Sequence, residues 1–455
     1  MQKIDYMILI ILYIISIFVI VTYLIIKNKK KTCSPIHNGF IVSVLFYYLL
    51  IPVFVLLNID DLVRKEQSIG KYGNNTFERF ITSNNWGNFL YSFLLIIISI
   101  FLFIFFYNIS KKKNNSRKLV LNEEKSYRNV QRVMLFTFWI GLVSLIVFFG
   151  SFGGIRTALS YAEKMRNMSS SLVEEIGGVS ALFKITARLV TVTPFLIIYL
   201  NNKREHSKAE YNLIFVVSLI ASLLFYIYNA GRTPIILFTL CFFYYLICNK
   251  IKKPWTTIIF IGVIALPLLD ILDSLFIYFN SGVWLSKETN YLNYVYQFSV
   301  PYKNTLILTD LNNCYGLRWF TDFFKAFLDF LPGVGFEPPY ANLSLYVRGY
   351  DWKNLGGIPT DFITFSHMQL SYIGVIIMSA LMGYLSQIVD YKLSLVNNSR
   401  IKDLFIGILT LYFFSLNTSF DPFSIIKGQF ILIFIIYIII KTSKREDKQN
   451  ENFIC

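Results

Sequence analysis

Arginine, carboxylate and histidine side chains collect in the one long polar stretch of an otherwise apolar chain. Residues 280–366 carry Arg318, Arg348 and Asp361, and His367 follows at the edge. A guanidinium binds phosphate oxygens through two parallel hydrogen bonds. A carboxylate or a neutral imidazole accepts a proton from an attacking hydroxyl. Together these residue types predict a group transfer that releases an anionic leaving group.

Two further arginines lie outside this stretch. Arg232 belongs to the turn "NAGRTP", in which Gly231 and Pro234 reverse the chain. The turn fits either an arginine that anchors to lipid headgroups or a rigidly held phosphate ligand. Arg166 lies in the loop 151–180, where it fits either a solvated helix surface or a helper in anion binding.

Aromatic side chains surround Arg348. Tyr350 and Trp352 follow it closely in sequence. The C–H face of a sugar packs on such rings while its hydroxyls find polar partners. An aromatic belt at the membrane interface fits these residues equally well. Both interpretations stay open from the sequence.

The elements that must position these residues are apolar runs. Of the 455 residues, 55% are hydrophobic and 15% are charged, against about 25% charged in an average soluble domain. About 20 apolar residues cross a bilayer as a helix. The sequence therefore predicts an all-α polytopic integral membrane protein, with one membrane domain over residues 1–455. We expect eleven transmembrane helices at 5–26, 40–57, 87–107, 133–150, 181–200, 211–229, 233–248, 255–279, 368–389, 404–417 and 425–440.

Charge distribution predicts the orientation of these helices. The linkers 27–39 and 108–132 are rich in Lys and Arg, and every second linker after them is also basic. Nearly all of the net charge of +16 then lies on one face. The positive-inside rule makes this face cytoplasmic. We expect the N-terminus outside, a cytoplasmic tail at 441–455, and a large extracytoplasmic loop at 280–367 between spans 8 and 9. Topology thus explains the basic composition without nucleic-acid binding.

The large loop contains an amphipathic pattern. Arg318, Asp322, Lys325 and Asp329 recur on one helical stripe, and phenylalanines occupy the other faces. The pattern predicts a helix at about 317–331 that lies in the outer membrane interface. We expect most of its charges to be solvated, although Arg318 begins the helix and can turn inward.

An outer membrane face has no nucleotide sugars, so the activated sugars there are lipid-linked pyrophosphates. Arginines can stabilise the departing pyrophosphate without a metal. The chain holds three His and five Cys, and their positions form neither a disulfide framework nor a Cys/His metal site. We therefore expect no cofactor. Arg166, Arg232, Arg318 and Arg348 can supply phosphate contacts, and His367 or Asp361 can supply proton transfer.

The "NAGRTP" turn and the junction "GGIPTDFITFSHMQLSYIGVIIMSALMGYL" resemble the oligosaccharide repeat unit polymerases, the Wzy-type O-antigen polymerases. Arg166 and Gly177 match a family spacing of an Arg with a Gly eleven residues on, whereas Arg318 and Arg348 do not. His367 is more similar to the histidine of the related lipopolysaccharide ligases than to the acidic residue that is common in polymerases. The resemblance covers most of the chain in topology.

This resemblance implies an inverting, metal-independent glycosyltransferase in the bacterial cytoplasmic membrane. It would join undecaprenyl-pyrophosphate-linked repeat units into a capsule, O-antigen or exopolysaccharide. Arg232, Arg318 and Arg348 would hold the pyrophosphates, with Arg166 as a helper, and His367 or Asp361 would assist proton transfer. Partners would be the lipid-linked oligosaccharide, the bilayer, and the chain-length regulator and flippase of the same pathway.

Three other classes fit parts of the sequence. A lipid-linked oligosaccharide flippase has a similar number of spans but usually shows two related halves, and no internal repeat is visible. A glycosyltransferase that uses polyprenyl-phosphate sugars wants an acidic residue in its first outer loop, where Asp60 and Asp61 are weak candidates. A surface-glycan ligase uses the same chemistry as the polymerase.

Overall fold

The computed structural model describes most of the chain as helices. It describes residues 2–29, 34–69, 86–110, 123–159, 177–201, 208–228, 291–329, 336–348, 358–396, 399–426 and 430–443, with isolated positions between 235 and 284. Every extended regular element in these ranges is helical. Seven of the described helices are long and apolar enough to cross a membrane, namely Asp5–Lys27, Pro35–Leu57, Trp86–Ile109, Glu123–Gly150, Leu182–Asn201, Ala209–Tyr228 and Phe362–Leu395.

These seven helices confirm a polytopic helical membrane protein. Each corresponds to one of the predicted spans, although the helix predicted at 368–389 begins six residues earlier, at Phe362. The spans predicted at 233–248 and 255–279 are described only at isolated positions. The last two appear as the shorter helices Ser399–Ser415 and Phe430–Ser443. The count of eleven and the inside–outside orientation stay predictions.

For the description below we number the helices in chain order. They are α1 Gln2–Lys29, α2 Pro35–Leu57, α3 Ile59–Ile69, α4 Trp86–Ile109, α5 Glu123–Gly150, α6 Gly177–Ala187, α7 Thr193–Asn201, α8 Lys208–Tyr228, α9 Tyr291–Phe298, α10 Val300–Leu306, α11 Leu308–Tyr315, α12 Thr321–Leu328, α13 Pro339–Arg348, α14 Phe362–Leu395, α15 Ser399–Ser415, α16 Pro422–Ser424 and α17 Phe430–Ser443. A 3₁₀ turn at Arg188–Thr191 lies between α6 and α7.

Helix α2 contains a π-helical turn at Leu45–Leu50, just before Pro52. Proline lacks the N–H of the helical ladder, and its ring crowds the carbonyl four residues earlier. A π turn widens the helix by one residue and so relieves this crowding. The turn also carries Tyr48, a fully buried side chain that reaches the start of α14.

The long helix α14 packs most extensively against α4 among the described elements. At their crossing, Gly383 lies directly against the backbone of Phe103. The hydroxyls of Ser99 and Ser379 hydrogen-bond across the same interface at 2.8 Å. Small residues and hydroxyl pairs are typical of helix–helix contacts within membranes, where lipid provides no hydrophobic driving force.

The described parts of the predicted outer loop are folded into five short helices, α9 to α13. Helix α10 carries buried polar side chains, including Lys303, Asn304 and Thr305. The Lys303 ammonium lies 3.5 Å from the centre of the Tyr296 ring, a cation–π contact that offsets part of its burial. Thr305 hydrogen-bonds Ser92 of α4. This stretch therefore packs into the helical assembly.

The far end of α14 is fixed by Asp390. Its carboxylate accepts hydrogen bonds from the backbone N–H groups of Ile36 and His37, both at 3.1 Å, and from the Tyr107 hydroxyl at 2.9 Å. It thereby caps the N-terminus of α2 from a different helix, which is a favourable place for a negative charge. The buried Lys27 ammonium lies over the Tyr107 ring at 4.0 Å.

Candidate functional site

Helix α14 is broken one turn after His367. Leu370 and Ser371 leave the helical conformation, with φ/ψ of −144°/36° and 55°/−145°. Gly374 allows the break, because a β-carbon at this position would collide with the Ser366 carbonyl. A break inside an apolar helix releases backbone polar groups that must find other partners.

The segment before α12 supplies these partners. The backbone N–H of Arg318 donates to the Met368 carbonyl, and that of Trp319 donates to the Gln369 carbonyl, both at 3.0 Å. The Phe320 N–H donates to Oε1 of Gln369 at 2.9 Å. The segment before α12, in the predicted outer loop, is thus hydrogen-bonded to the last turn before the break.

Both sides of this contact are conformationally strained. Trp319, Phe320 and Ser371 are the non-glycine residues with positive φ in the described chain, at 55°, 57° and 55°. Such conformations cost about 1–3 kcal/mol each and persist where the surrounding structure imposes them. All three lie at the junction between the loop and the broken helix. Strain concentrated in this way is typical of functional sites.

The side chain of Arg318 points into the protein, which confirms that it turns inward. Its Nε and Nη2 donate to the Asp322 carboxylate at 2.7–2.9 Å, and Nη2 also donates to the Glu337 carbonyl at 2.7 Å. The Gln369 amide donates to the same carboxylate at 2.8 Å. The Arg318 side chain is 11% exposed and that of Asp322 fully buried. A guanidinium held in this way has one orientation.

This ion pair corrects the expected solvated stripe. Helix α12 spans Thr321–Leu328, shorter than the predicted 317–331, and Asp322 is its most buried charge. Phe324 and Phe327 are the exposed apolar side chains of this helix, at 67% and 61%. The prediction of solvated charges was wrong for Asp322, since Arg318 neutralises its carboxylate and the Gln369 amide donates to one of its oxygens.

His367 lies in α14, four residues before Ser371. Its side chain is 1% exposed. Nε2 lies 2.8 Å from the Tyr91 hydroxyl and 3.4 Å from the Ser371 hydroxyl. The Asn312 amide nitrogen lies 3.0 Å from both Nδ1 and the backbone carbonyl of His367. Residues from α4, α11 and α14 therefore meet at this imidazole.

Asp361 has a different environment from His367. It is the N-cap of α14, and its carboxylate accepts hydrogen bonds from the N–H groups of Ile363 and Thr364, both at 3.1 Å. It also accepts from the Tyr48 hydroxyl at 2.5 Å and from the Asn304 amide at 3.1 Å. Burial raises the pKa of the Asp361 carboxyl, and these hydrogen bonds oppose that effect. This fully buried carboxylate joins α2, α10 and α14.

The structure brings three of the predicted site residues into one region. Arg318 and His367 meet at the last turn of α14 before the break, where the Arg318 backbone donates to the residue that follows His367. Asp361 lies at the start of the same helix. Helix α13 ends at Arg348, whose side chain lies outside the described part of the structure. Arg166, Arg232, Tyr350 and Trp352 also lie outside the described residues. Their roles stay predictions.

Sequence reasoning missed four partners of these residues. Tyr91 and Asn312 contact His367, Gln369 contacts the Arg318 ion pair, and Tyr48 contacts Asp361. Tyr91 lies near the start of a predicted span, where tyrosine is ordinary. Only the four-residue spacing of Arg318 and Asp322 carried a readable signal, because it predicts an ion pair on one helix. In the structure the pair forms, although Arg318 lies before the start of α12.

The described residues contain no group of three His, Cys, Asp or Glu that could hold a metal ion. The polar groups around the break are instead hydrogen-bond donors, acceptors and one guanidinium. Such an arrangement can bind an anion and orient a hydroxyl. No protein-family model matches the sequence, and comparisons with curated proteins and with solved structures find no match either.

Proposed function

We propose that this protein polymerises lipid-linked oligosaccharide repeat units on the outer face of the bacterial cytoplasmic membrane. The donor is a glycan on undecaprenyl pyrophosphate, and the acceptor is a hydroxyl of a second lipid-linked repeat. The acceptor oxygen forms the new bond to the anomeric carbon with inversion. The bond to pyrophosphate breaks, its electron pair stays on the pyrophosphate oxygen, and the acceptor proton passes to water.

The observation that carries this proposal is the junction at the break of α14. The Arg318 backbone N–H donates to the Met368 carbonyl, next to the buried His367, in the last turn before this break. The Arg318 side chain points inward. The charge distribution of the linkers predicts this end of α14 to be extracytoplasmic. A membrane protein that holds a guanidinium and an imidazole beside strained backbone on that side is suited to a lipid-linked anion.

Arg318 is suited to a pyrophosphate because its guanidinium is already oriented. Asp322 and Glu337 engage Nε and Nη2. In the described part of the structure Nη1 makes no hydrogen bond, which leaves donors for a substrate oxygen. We infer that Arg232 and Arg348 complete the pyrophosphate site, with Arg166 as a helper. Tyr350 and Trp352 would pack on the sugar.

His367 is a better candidate for the transfer chemistry than Asp361. The Asp361 carboxylate already accepts four described hydrogen bonds and ties three helices together. His367 contacts the hydroxyls of Tyr91 and Ser371, two partly exposed residues. A bound substrate can therefore hydrogen-bond to a hydroxyl that contacts the imidazole. In the described part of the structure, no partly exposed hydroxyl makes such a contact with Asp361.

The experiment compares the surface glycan of the parent strain with that of a strain lacking this protein. We expect the glycan ladder on a gel to collapse to a single repeat unit in the deletion strain. The wild-type chain should restore the ladder, whereas His367→Ala and Arg232→Ala should not. Tyr384→Phe is the matched control, because Tyr384 is 48% exposed and lies beyond the break, in the other half of α14. Immunoblots of membranes establish equal protein levels.

Other outcomes distinguish the alternative classes. Lipid-linked repeats trapped on the inner leaflet would identify a flippase. Full-length polymer that accumulates on its lipid carrier without reaching the surface acceptor would identify a glycan ligase. Loss of one sugar from each repeat would identify a glycosyltransferase that uses polyprenyl-phosphate sugars. An unchanged ladder in the deletion strain would refute all four functions.

A further inference from the structure

The orientation of the Asn312 side chain determines the tautomer of His367. One end of this amide lies 3.0 Å from the backbone carbonyl of His367. A carbonyl oxygen only accepts hydrogen bonds, so this end must be the NH₂ group. The same nitrogen lies 3.0 Å from Nδ1 of the imidazole. Its second hydrogen therefore points to Nδ1, and Nδ1 acts as an acceptor.

A neutral imidazole carries one proton, which must then lie on Nε2. Nε2 is 2.8 Å from the Tyr91 hydroxyl, so the imidazole donates to the phenolic oxygen. The hydrogen of that hydroxyl is directed elsewhere. The Ser371 hydroxyl lies beside the same pair, 3.4 Å from Nε2 and in contact with Tyr91. A protonated Nε2 cannot accept a proton from Ser371, which argues against Ser371 as an activated nucleophile.

The donors therefore point in one direction, from Asn312 through His367 to Tyr91. Hydrogen bonds in such a chain polarise one another, and each strengthens the next. His367 itself is 1% exposed, whereas Tyr91 is partly exposed at the end of the chain. The imidazole thus reaches a bound molecule through a hydroxyl.

We propose that Tyr91 is a catalytic residue that donates a hydrogen bond to the departing pyrophosphate oxygen. This proposal rests on the polymerase function proposed above. Negative charge develops on that oxygen as the anomeric bond breaks, and an oriented donor stabilises it. Tyr91 keeps its proton throughout, so no proton transfer is required. His367 and Asn312 are positioning residues, and His367 serves as a donor rather than as the general base.

The first test is the rate of chain growth, measured by pulse-labelling the glycan in the deletion strain carrying each variant. Tyr91→Phe should lower the rate by about 100-fold, the usual effect of removing one oriented oxyanion donor. Tyr384→Phe should leave it unchanged. A wild-type rate in Tyr91→Phe, with the ladder still dependent on the protein, would overturn the role of Tyr91 and leave the polymerase function intact.

The second test reads the tautomer directly and does not depend on activity. The full-length purified chain is labelled with ¹⁵N-histidine, and the three histidines are resolved by comparison with His367→Gln. We expect a protonated Nε2 and an unprotonated Nδ1 at His367. Protonation at Nδ1 in the wild-type chain would refute the donor chain, whatever the rates are.

Asn312→Asp is nearly isosteric and is designed to reverse the hydrogen bond between residue 312 and Nδ1 of His367. Its carboxylate accepts hydrogen bonds only, so it favours a proton on Nδ1 and leaves Nε2 as an acceptor. The Tyr91 hydroxyl would then donate inward to the imidazole. We expect the ¹⁵N signals to show a protonated Nδ1 and an unprotonated Nε2. Chain growth should slow by about 100-fold. An exchanged tautomer with a wild-type rate would show that the direction of the chain is irrelevant to the reaction.

Discussion

Arg318 shows how one charged side chain is held ready in a largely apolar protein. Asp322 neutralises it, Gln369 holds Asp322, and the Glu337 carbonyl fixes the second guanidinium nitrogen. A buried ion pair of this kind is weak evidence for stability, because desolvation offsets its Coulomb attraction. Its contribution is orientation. The guanidinium loses little additional freedom when an anion binds, which is the usual advantage of preorganisation.

Asp361 permits a test that separates a structural role from a catalytic one. Asp361→Ala removes the N-cap acceptor and one of the two acceptors that the Tyr48 hydroxyl and the Asn304 amide each have, so we expect a loss of about 3 kcal/mol of stability. Asp361→Asn keeps a capping oxygen and should cost about 1 kcal/mol, chiefly because its NH₂ faces the Asn304 amide. Apparent Tm values of the detergent-solubilised variants measure the difference.

Chain growth in the same variants decides the role of Asp361. If the residue is a structural cap, Asp361→Asn should retain most of the wild-type rate. A general base would instead lose at least about 100-fold on conversion to the amide. A stable but inactive Asn variant would therefore identify Asp361 as the proton acceptor.

At the scale of elements, α4 and α14 form the scaffold that positions the site. Tyr91 and His367 belong to these two helices, and Gly383 sets how closely the helices approach. A β-carbon at position 383 would collide with the carbonyl of Phe103. This neighbour is backbone and cannot rotate away. The contact at Gly383 lies at the other end of the two helices from Tyr91 and His367. It thus influences the distance between these two side chains.

Two glycine-to-alanine substitutions should have opposite effects on stability. Gly383→Ala should destabilise the protein by about 1–3 kcal/mol, because it overpacks the α4–α14 contact. Gly87→Ala is the control, since nothing lies within 4 Å of a β-carbon there. Alanine is the better helix former by about 1 kcal/mol, so Gly87→Ala should be neutral or slightly stabilising. Equal apparent Tm values would contradict the close approach of the helices.

The sequence predicts the apolar helices better than it predicts the site. Runs of apolar residues identify spans because the bilayer requires about 20 of them in succession. No proline in the sequence predicts the break at Leu370 and Ser371. The carbonyls just before the break are hydrogen-bonded by Arg318 and Trp319, about 50 residues away. Asn312 and Tyr91 likewise reach His367 only through the tertiary fold. Such partners have no local signature.

At the scale of the whole molecule, the two ends of α14 are fixed by carboxylates. Asp361 connects its start to α2 and α10, and Asp390 connects its far end to the start of α2 and to α4. The strained break lies close to the first of these ends, between the site and the remainder of the span. A helix fixed at both ends keeps such a break in one conformation, which the geometry at His367 requires.

The proposed function depends on which face of the membrane carries the site, and Cys314 can report it. This thiol is exposed and lies two residues after Asn312, in α11.

A variant that retains only Cys314 has Cys33, Cys241, Cys248 and Cys455 replaced. An impermeant maleimide added to intact spheroplasts should label it as fully as after permeabilisation, because the positive-inside rule predicts an outer position. The matched variant that retains only Cys455, in the predicted cytoplasmic tail, should be labelled only after permeabilisation. The reverse pattern would place the His367 site on the cytoplasmic face, where nucleotide sugars are available and the argument for a lipid-linked donor no longer holds.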